Sequence, residues 1–467
     1  MEKTHKKKNR YFGTDGFRGE ANINLTSEQA YKVGRFLGWY FSSAISGCTN
    51  PNYRPKIVIG KDTRLSSYML EYSIAAGITA SGADAHMLHV TTTPSVSYVT
   101  KQDEFDCGIM ITASHNPFYD NGIKVINRYG EKLDDATTAY IEDYLDGDLE
   151  ALGLSEDLPL ATKEKIGKII DYVSGRNRYV GYLISLASHS YKNLKIGLDC
   201  ANGASWMIAK SVFAALGAQV KVVGDTPDGL NVNKDCGSTH IENLCRLVKE
   251  NHLDLGFAFD GDCDRCIAVD GNGNVVDGDK MLYILGKRLK NRGMLNGDTV
   301  VATIMSNSGF MNSLKKAGMK CVTTDVGDRF VYECMQENDY SLGGEQSGHI
   351  IIKKYATTGD GLLTAIMITE EICDSKLSLS ELAKPIKLYP QFTKNVRVKD
   401  KDAVFADTLV LEEKQKIENI INGKGRILLR KSGTEPVVRV MVESEENSEE
   451  YANRLANFIV ERGHSVE

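Results

Sequence analysis

Lys56-Ile57-Val58-Ile59-Gly60 opens a plan that the chain uses three times. This short β-branched run is followed by a polar turn at 61–67, an apolar helical stretch ending at Gly82, and a second run through Leu88. Lys195-Ile196-Gly197-Leu198-Asp199 repeats the plan through the turn Ala201-Asn202-Gly203, a helix closing at Gly217 and a run at 219–223. Asp298-Thr299-Val300-Val301-Ala302-Thr303 does so again, through Ser306-Asn307-Ser308-Gly309, a helix closing at Gly318 and a run at 320–323. A glycine just past the last helical turn supplies the left-handed residue that ends a helix, so each segment reads as strand, loop, helix, strand. Such βαβ units build layered α/β domains, and three lie in series. The last segment changes order: strand 396–398, helix 408–421, strands 426–430 and 437–442, and a terminal helix from Asn447, the pattern of a small α+β domain. Composition shifts around 146–165, near 260 and at 384–390 mark seams, so the expected division is 1–155, 156–258, 259–383 and 384–467.

The 467 residues leave room for about three domains at roughly 150 residues each. Hydrophobic residues at 42%, charged residues at 25% and only 9 Pro are the composition of a folded globular chain. With 56 basic against 62 acidic residues the net charge is −6, so no global positive field exists to hold nucleic acid or an anionic membrane. The basic stretch 1–10 has no apolar segment behind it, which argues against a secretory signal and for a cytoplasmic protein. The ten cysteines lack paired spacing and read as reduced thiols; Cys263 and Cys266 have no second pair to complete a zinc site.

Four loops carry chemistry. Asp260-Gly261-Asp262-Cys263-Asp264-Arg265 follows an apolar run at 255–259. Three carboxylates at i, i+2 and i+4 converge only if a cation or a proton relieves their repulsion. Hard oxygen ligands in small number favour Mg²⁺, which keeps sites for water or a phosphate oxygen; a solvated acidic turn is the alternative. In Thr112-Ala113-Ser114-His115-Asn116-Pro117 an apolar strand ends in a hydroxyl beside an imidazole. Ligands bind at such strand ends, which makes Ser114 a candidate nucleophile, although this motif taken alone favours a purely structural Ser-His-Asn-Pro turn. Lys124 follows a turn able to return an ammonium toward it. Gly343-Gly344-Glu345-Gln346-Ser347-Gly348-His349 surrounds polar side chains with glycine, a composition suited to sugar hydroxyls or to a plain surface turn. Arg329 upstream adds an anion-binding guanidinium. Finally, Arg430-Lys431-Ser432-Gly433-Thr434-Glu435-Pro436 with Arg439 gathers cations, hydroxyls and backbone N–H groups in one turn, a phosphate cradle.

Together with Phe12-Gly13-Thr14-Asp15-Gly16-Phe17-Arg18-Gly19, these loops resemble the α-D-phosphohexomutase family over nearly the whole chain. The resemblance implies four domains around a central cleft, the first three of one mixed α/β topology. It implies a phosphoserine at Ser114, one Mg²⁺ held by Ser114, Asp260, Asp262 and Asp264, and sugar hydroxyls bound by Glu345 and Ser347. Arg430, Ser432, Gly433, Thr434 and Arg439 would hold the phosphate not in transfer, on a small domain expected to hinge near 384–390. Arg18, Lys124, Arg265, His349 and Arg329 match or neighbour family positions near the reacting groups. The implied reaction converts glucosamine 6-phosphate to glucosamine 1-phosphate through glucosamine 1,6-bisphosphate, feeding UDP-N-acetylglucosamine and cell-wall synthesis. The implied partners are small sugar phosphates, with no nucleic acid or membrane, and the enzyme is a monomer or homodimer. Phosphomannomutase/phosphoglucomutase activity and a silent sugar-phosphate-binding regulator are the other readings. Two residues depart from the family pattern: Lys431 stands where proline is usual, and Phe17 where Ile or Val is common.

Overall fold

A computed structural model describes residues 10–465 apart from 14, 51 and 433–435. Among the described residues the strands assemble into four sheets. The first holds β1 (Phe12–Gly13), β2 (Gly16–Glu20), β3 (Lys56–Lys61), β4 (Asp84–Val90), β5 (Cys107–Ile111), β6 (Asp120–Asn127) and β7 (Ile169–Asp171) in the order β1-β2-β6-β5-β3-β4-β7. The second holds β8 (Lys195–Asp199), β9 (Gln219–Val223), β10 (Leu255–Phe259), β11 (Cys266–Asp270) and β12 (Val275–Val276), ordered β12-β11-β10-β8-β9. The third is β14-β13-β15-β16, from β13 (Thr299–Thr303), β14 (Lys320–Thr324), β15 (Leu342–Gly344) and β16 (Ile350–Ile352). The fourth is β17-β19-β18, from β17 (Gln391–Arg397), β18 (Gly425–Lys431) and β19 (Val437–Ser444), antiparallel throughout.

The first three sheets contain one repeated unit. A central strand (β3, β8, β13) is flanked on one side by the strand that follows it through one helix (β4, β9, β14). On the other side lies a parallel strand (β5, β10, β15), which turns back into an antiparallel one (β6, β11, β16). The connecting helices Leu65–Ala80, Ile208–Ala215 and Ser308–Lys316 close at Gly82, Gly217 and Gly318, whose φ values are +91°, +95° and +71°. Every residue of β5, β10 and β13 is buried, because helices cover both faces of parallel strands, and this is why β5 and β10 read as unbroken apolar runs and β13 carries polar side chains only at its two terminal threonines.

Two expected seams cut through sheets. β7 pairs with β4, so the first sheet extends past 155 to Asp171. β10, β11 and β12 share a sheet with β8 and β9, so the second runs past 258 to Val276 and the aspartate loop lies inside it. Polar composition marks a loop, and a functional loop is held by the scaffold of its own domain, so it need not be a boundary. β17 begins at Gln391 rather than Val396: its first residues pair with β19 through their backbones while most of their side chains stay in solvent, leaving no apolar signal.

Packing divides the described residues into two compact units: those up to Ile304 with Val322–Ala383, and Met305–Cys321 with those from Lys384 onward. In the second unit, Asn307 Oδ1 accepts from Tyr389 N and Asn307 Nδ2 donates to Tyr389 O, both at 2.9 Å. The same oxygen caps the helix Ser308–Lys316 at Gly309 N (2.9 Å), and buried Glu443 on β19 accepts from Ser308 N. Among the described residues no helix is long and apolar enough to cross a membrane.

Candidate active site

Three of the candidate loops occupy one topological position, the turn from the outer parallel strand to the antiparallel one. Residues 112–119 link β5 to β6, 260–265 link β10 to β11, and 345–349 link β15 to β16. Ser114 is buried at φ +52°, a left-handed conformation that costs a residue with a Cβ about 1–2 kcal/mol. Its Oγ donates to Asp260 Oδ2 at 2.6 Å. The two loops approach this closely because residue 261 is glycine: a Cβ there would lie 2.5 Å from Ser114 O.

Asp260, Asp262 and Asp264 are buried, with oxygens within 4.8 Å of one another. Burial first, then Asp264 and Asp262, push the Asp260 carboxyl well above the usual carboxylate range. At Asp264 burial pushes the same way, but Lys124 and His349 outweigh it and hold that carboxyl below the range. Lys124 Nζ donates to Asp262 Oδ2 at 2.7 Å and to Asp264 Oδ2 at 3.0 Å. Its desolvation disfavours the charge, yet Asp15, Asp262 and Asp264 raise the ammonium well above its ordinary value. Thr93 Oγ1 also donates to Asp262 Oδ2, at 2.5 Å. Asp262 Oδ1 and Asp264 Oδ1 remain buried without a hydrogen-bond partner. Converging carboxylate oxygens left orphaned in this way fit a divalent cation with hard oxygen ligands.

The Ser114 hydroxyl and the His115 ring have different nearest partners. His115 Nδ1 lies 3.0 Å from Arg265 Nη1 and 3.3 Å from Ser114 Oγ. Burial, followed by the Arg265 and Arg18 cations, brings its pKa down to about 4. The ring is therefore neutral at pH 7 and accepts from Arg265, while the serine hydroxyl turns to Asp260.

The glycine-rich loop docks on the aspartate loop: Cys266 N donates to Gly348 O at 3.0 Å, and Arg265 and His349 form a β-bridge. His349 is buried with neither ring nitrogen hydrogen-bonded, and its Nε2 lies 3.5 Å from Asp328 Oδ2. Glu345 is half-buried and Ser347 exposed, their Oε2 and Oγ 3.4 Å apart.

A charge chain surrounds these groups, joining Arg18 and Lys124 to Asp15, Lys132 and Asp328, three residues given no role from the sequence. Arg18 pairs with Asp15, which lies 3.6 Å from Lys124 and 3.2 Å from Lys132; Lys132 reaches Asp328 Oδ1 at 2.7 Å. Burial alone would raise the Asp15 carboxyl, but Lys124, Lys132 and Arg18 hold it well below the usual range. Asp15, Lys124, Lys132, Asp264 and Asp328 line a cavity of about 290 Å³. Asp15 lies within the stretch 12–19 and Asp328 stands beside Arg329, whereas Lys132 carries no local signal. Arg329 lines the same cavity, its guanidinium bonding Asp135 Oδ2 at 2.9 Å and Glu333 Oε1 at 2.7 Å.

In the other compact unit, Arg430 and Arg439 stand directly opposite each other across β18 and β19. Like charges so placed repel, and an anion between them relieves the repulsion. Ser432 is buried, its N–H donating to Val437 O at 2.9 Å. Lys431 pairs with Asp402 and lies 4.8 Å from the centre of the Phe405 ring, so the cation expected to join the cradle is engaged locally. Gly433 and Thr434 lie outside the described residues.

Comparison with known proteins gives this arrangement its class, that of phosphohexose mutases. Four domain descriptions under the heading Phosphoglucomutase/phosphomannomutase match in chain order: alpha/beta/alpha domain I at residues 9–151, domain II at 177–273, domain III at 277–389 and the C-terminal domain at 394–462. The chain belongs to the phosphoglucomutase/phosphomannomutase family. It is 55% identical to the phosphoglucosamine mutase of Lachnospira eligens, over 98% of this chain and 100% of that protein. It is 47% identical to the phosphoglucosamine mutase of Bacillus subtilis, over 96% and 98%. Among solved structures, a phosphoglucomutase/phosphomannomutase family protein from Burkholderia thailandensis shares the fold with a TM-score of 0.79 at 22% identity, over 97% of this chain and 98% of that one. The N-acetylphosphoglucosamine mutase of Aspergillus fumigatus, in complex with GlcNAc-6P and magnesium, does so with a TM-score of 0.67 at 17% identity, over 97% and 96%.

Proposed function

We propose that the chain interconverts glucosamine 6-phosphate and glucosamine 1-phosphate, with Ser114 as carrier of the phosphoryl group. The observation that carries this reading is the setting of Ser114. A buried hydroxyl in a left-handed turn points at a carboxylate triad with two unpartnered oxygens, in a chain 45–55% identical to phosphoglucosamine mutases. In the forward direction the P–Oγ bond of phosphoserine breaks and a bond forms from phosphorus to O1 of glucosamine 6-phosphate. The sugar hydroxyl loses one proton and Ser114 Oγ gains one, so the count closes. The glucosamine 1,6-bisphosphate turns round and its 6-phosphate returns to Ser114 by the same exchange.

Lys124 and Arg265, both beside the triad, meet the charge that develops on the transferring group. Arg18 orders Asp15, which in turn supports Lys124. His349, with unpartnered ring nitrogens close to Asp328, is the group that moves the proton. Glu345 and Ser347 orient sugar hydroxyls, while Arg430, Ser432, Gly433, Thr434 and Arg439 hold the phosphate not in transfer. Asp260, Asp262, Asp264 and the phosphorylated Ser114 would hold one Mg²⁺ per chain, which when bound supplies Lewis acidity and neutralises phosphoryl charge. The same reading takes the enzyme to be cytoplasmic, a monomer or homodimer, with small sugar phosphates as its partners.

A coupled assay with Mg²⁺, comparing glucosamine 6-phosphate with mannose and glucose 6-phosphates, tests this. Strong preference for the glucosamine substrate and no turnover by Ser114→Ala are the expected results. Turnover of mannose or glucose phosphate alone would keep the carrier and change the substrate. Wild-type rates from Ser114→Ala would overturn the carrier itself.

A further inference from the structure

Asp62 and Arg64 lie in the polar turn at 61–67, and nothing in the metal, sugar or phosphate chemistry gives them a task. Both side chains are 0% exposed. Burying an ion pair costs several kcal/mol unless hydrogen bonds satisfy every remaining donor, and here all five guanidinium N–H groups are used. Nε donates to Asp62 Oδ2 at 2.8 Å, Nη2 to Ser114 O at 2.9 Å and Asn116 O at 2.8 Å, and Nη1 to Pro117 O and, at 3.0 Å, to Asp120 O. Four of those acceptors are backbone carbonyls, three in the turn that carries Ser114 and one on Asp120, where β6 begins.

A second route from the same carboxylate reaches the other end of the serine. Thr112 Oγ1 donates to Asp62 Oδ2 at 2.7 Å and accepts from Ser114 N at 3.0 Å. The N–H and the C=O of Ser114 are thus both tied to Asp62, one through Thr112 and one through Arg64. Asn233, from the loop after β9, adds Nδ2 donations to Ser114 O at 2.8 Å and Asn116 O at 3.1 Å. What these groups hold is a strained residue at φ +52°. Strain of this kind persists only where the surroundings over-determine it, and a loop that merely had to close could do so at negative φ.

We infer that Asp62, Arg64 and Asn233 are positioning residues, which hold the Ser114 turn, and with it the Oγ atom against Asp260, through both phosphoryl transfers. The inference rests on Ser114 being the phosphoryl carrier.

Two variants separate placement from folding. Arg64→Lys keeps a cation beside Asp62 but offers three donors in place of five. Asn233→Gly removes both donations and leaves the backbone unstrained, since residue 233 has φ +57°. For each, with wild type and Ser114→Ala alongside, thermal midpoint, kcat, KM and the single-turnover transfer rate from Ser114 carrying labelled phosphate are measured per folded molecule. Expected losses in kcat and transfer rate are on the order of 10²-fold for Arg64→Lys and about tenfold for Asn233→Gly, with KM changed by less than about threefold. The Asn233→Gly midpoint should stay near that of wild type, so this variant decides if Arg64→Lys does not fold. Transfer rates equal to wild type in the folded variants, whatever their midpoints, overturn the inference. Wild-type protein that turns over with no phosphate on Ser114 refutes the carrier and this inference together, and is recognised because it appears without any substitution.

Discussion

Lys124 sets the charge balance of the site: one buried ammonium against the carboxylates of Asp262 and Asp264, with Asp15 3.6 Å away. Removing it should have two separable effects. Without metal, Lys124→Ala leaves the aspartates repelling one another and lowers the thermal midpoint. With Mg²⁺ added, the midpoint should rise by more in the variant than in wild type, since loss of a neighbouring cation strengthens cation binding and binding to the folded state alone stabilises it. Turnover in Mg²⁺ should stay down by at least about 10²-fold, because the charge that meets the transferring phosphoryl is gone. Calorimetry with EDTA and with Mg²⁺ checks the first pair, and an equal rise in both proteins would reject the account. Ser114, the three aspartates and Lys124 were legible in the sequence because each belongs to a contiguous motif. Lys132, Asp328, Arg64 and Asn233 were not, for the groups they hold lie far away along the chain, and a single sequence carries no trace of a long-range ion pair or hydrogen bond. Arg329 is alike in this, since nothing near it in the sequence shows that its guanidinium meets Asp135, 194 residues away.

At the level of elements, the strand-helix-strand triplets could be read because their signals are local: β-branched runs and a glycine closing each helix. The antiparallel fourth strand of the third unit could not, for β16 spans only Ile350–Ile352 and gives no periodicity. With it went the insight that three functional loops share one topological place. The helix Gly361–Ser375 that follows carries a testable charge at its start. Asp360 caps it, Oδ1 accepting from Leu363 N at 2.9 Å and Oδ2 from Tyr179 Oη at 2.9 Å. Burial lifts its pKa to about 6, against about 3.9 in an unfolded chain. Between those values the folded protein keeps a proton that the unfolded chain has lost, so stability from this group falls as pH rises from about 4 to about 6 and is level above. Asp360→Asn, uncharged throughout, lacks that slope. Urea unfolding across this range should show the stability of wild type relative to the variant falling by on the order of 2–3 kcal/mol. A flat or rising difference would mean that Asp360 is ionised in the fold at low pH.

At the scale of the whole molecule, chain order and folding units part company. Residues 305–321 continue the third repeat in sequence, yet they pack as one unit with the residues from Lys384 onward. A repeat pattern states which element a segment forms and is silent on which neighbour it is buried against. That choice is made by contacts between distant residues: Asn307 against the backbone of Tyr389, and Glu443 against the first turn of the helix Ser308–Lys316. Amides within one cooperative unit exchange hydrogen together, so those of this helix should exchange in step with β18 and β19 and not with β15 and β16. Asn307→Ala takes the partners from Tyr389 N–H and C=O, at a cost of about 1–3 kcal/mol for each group left buried and unpaired. Exchange in the helix and the fourth sheet should then accelerate together, while β3, β5, β8 and β10 keep their protection. If the helix instead follows β15 and β16, the third repeat folds as the sequence is written and the packing division has no counterpart in cooperativity.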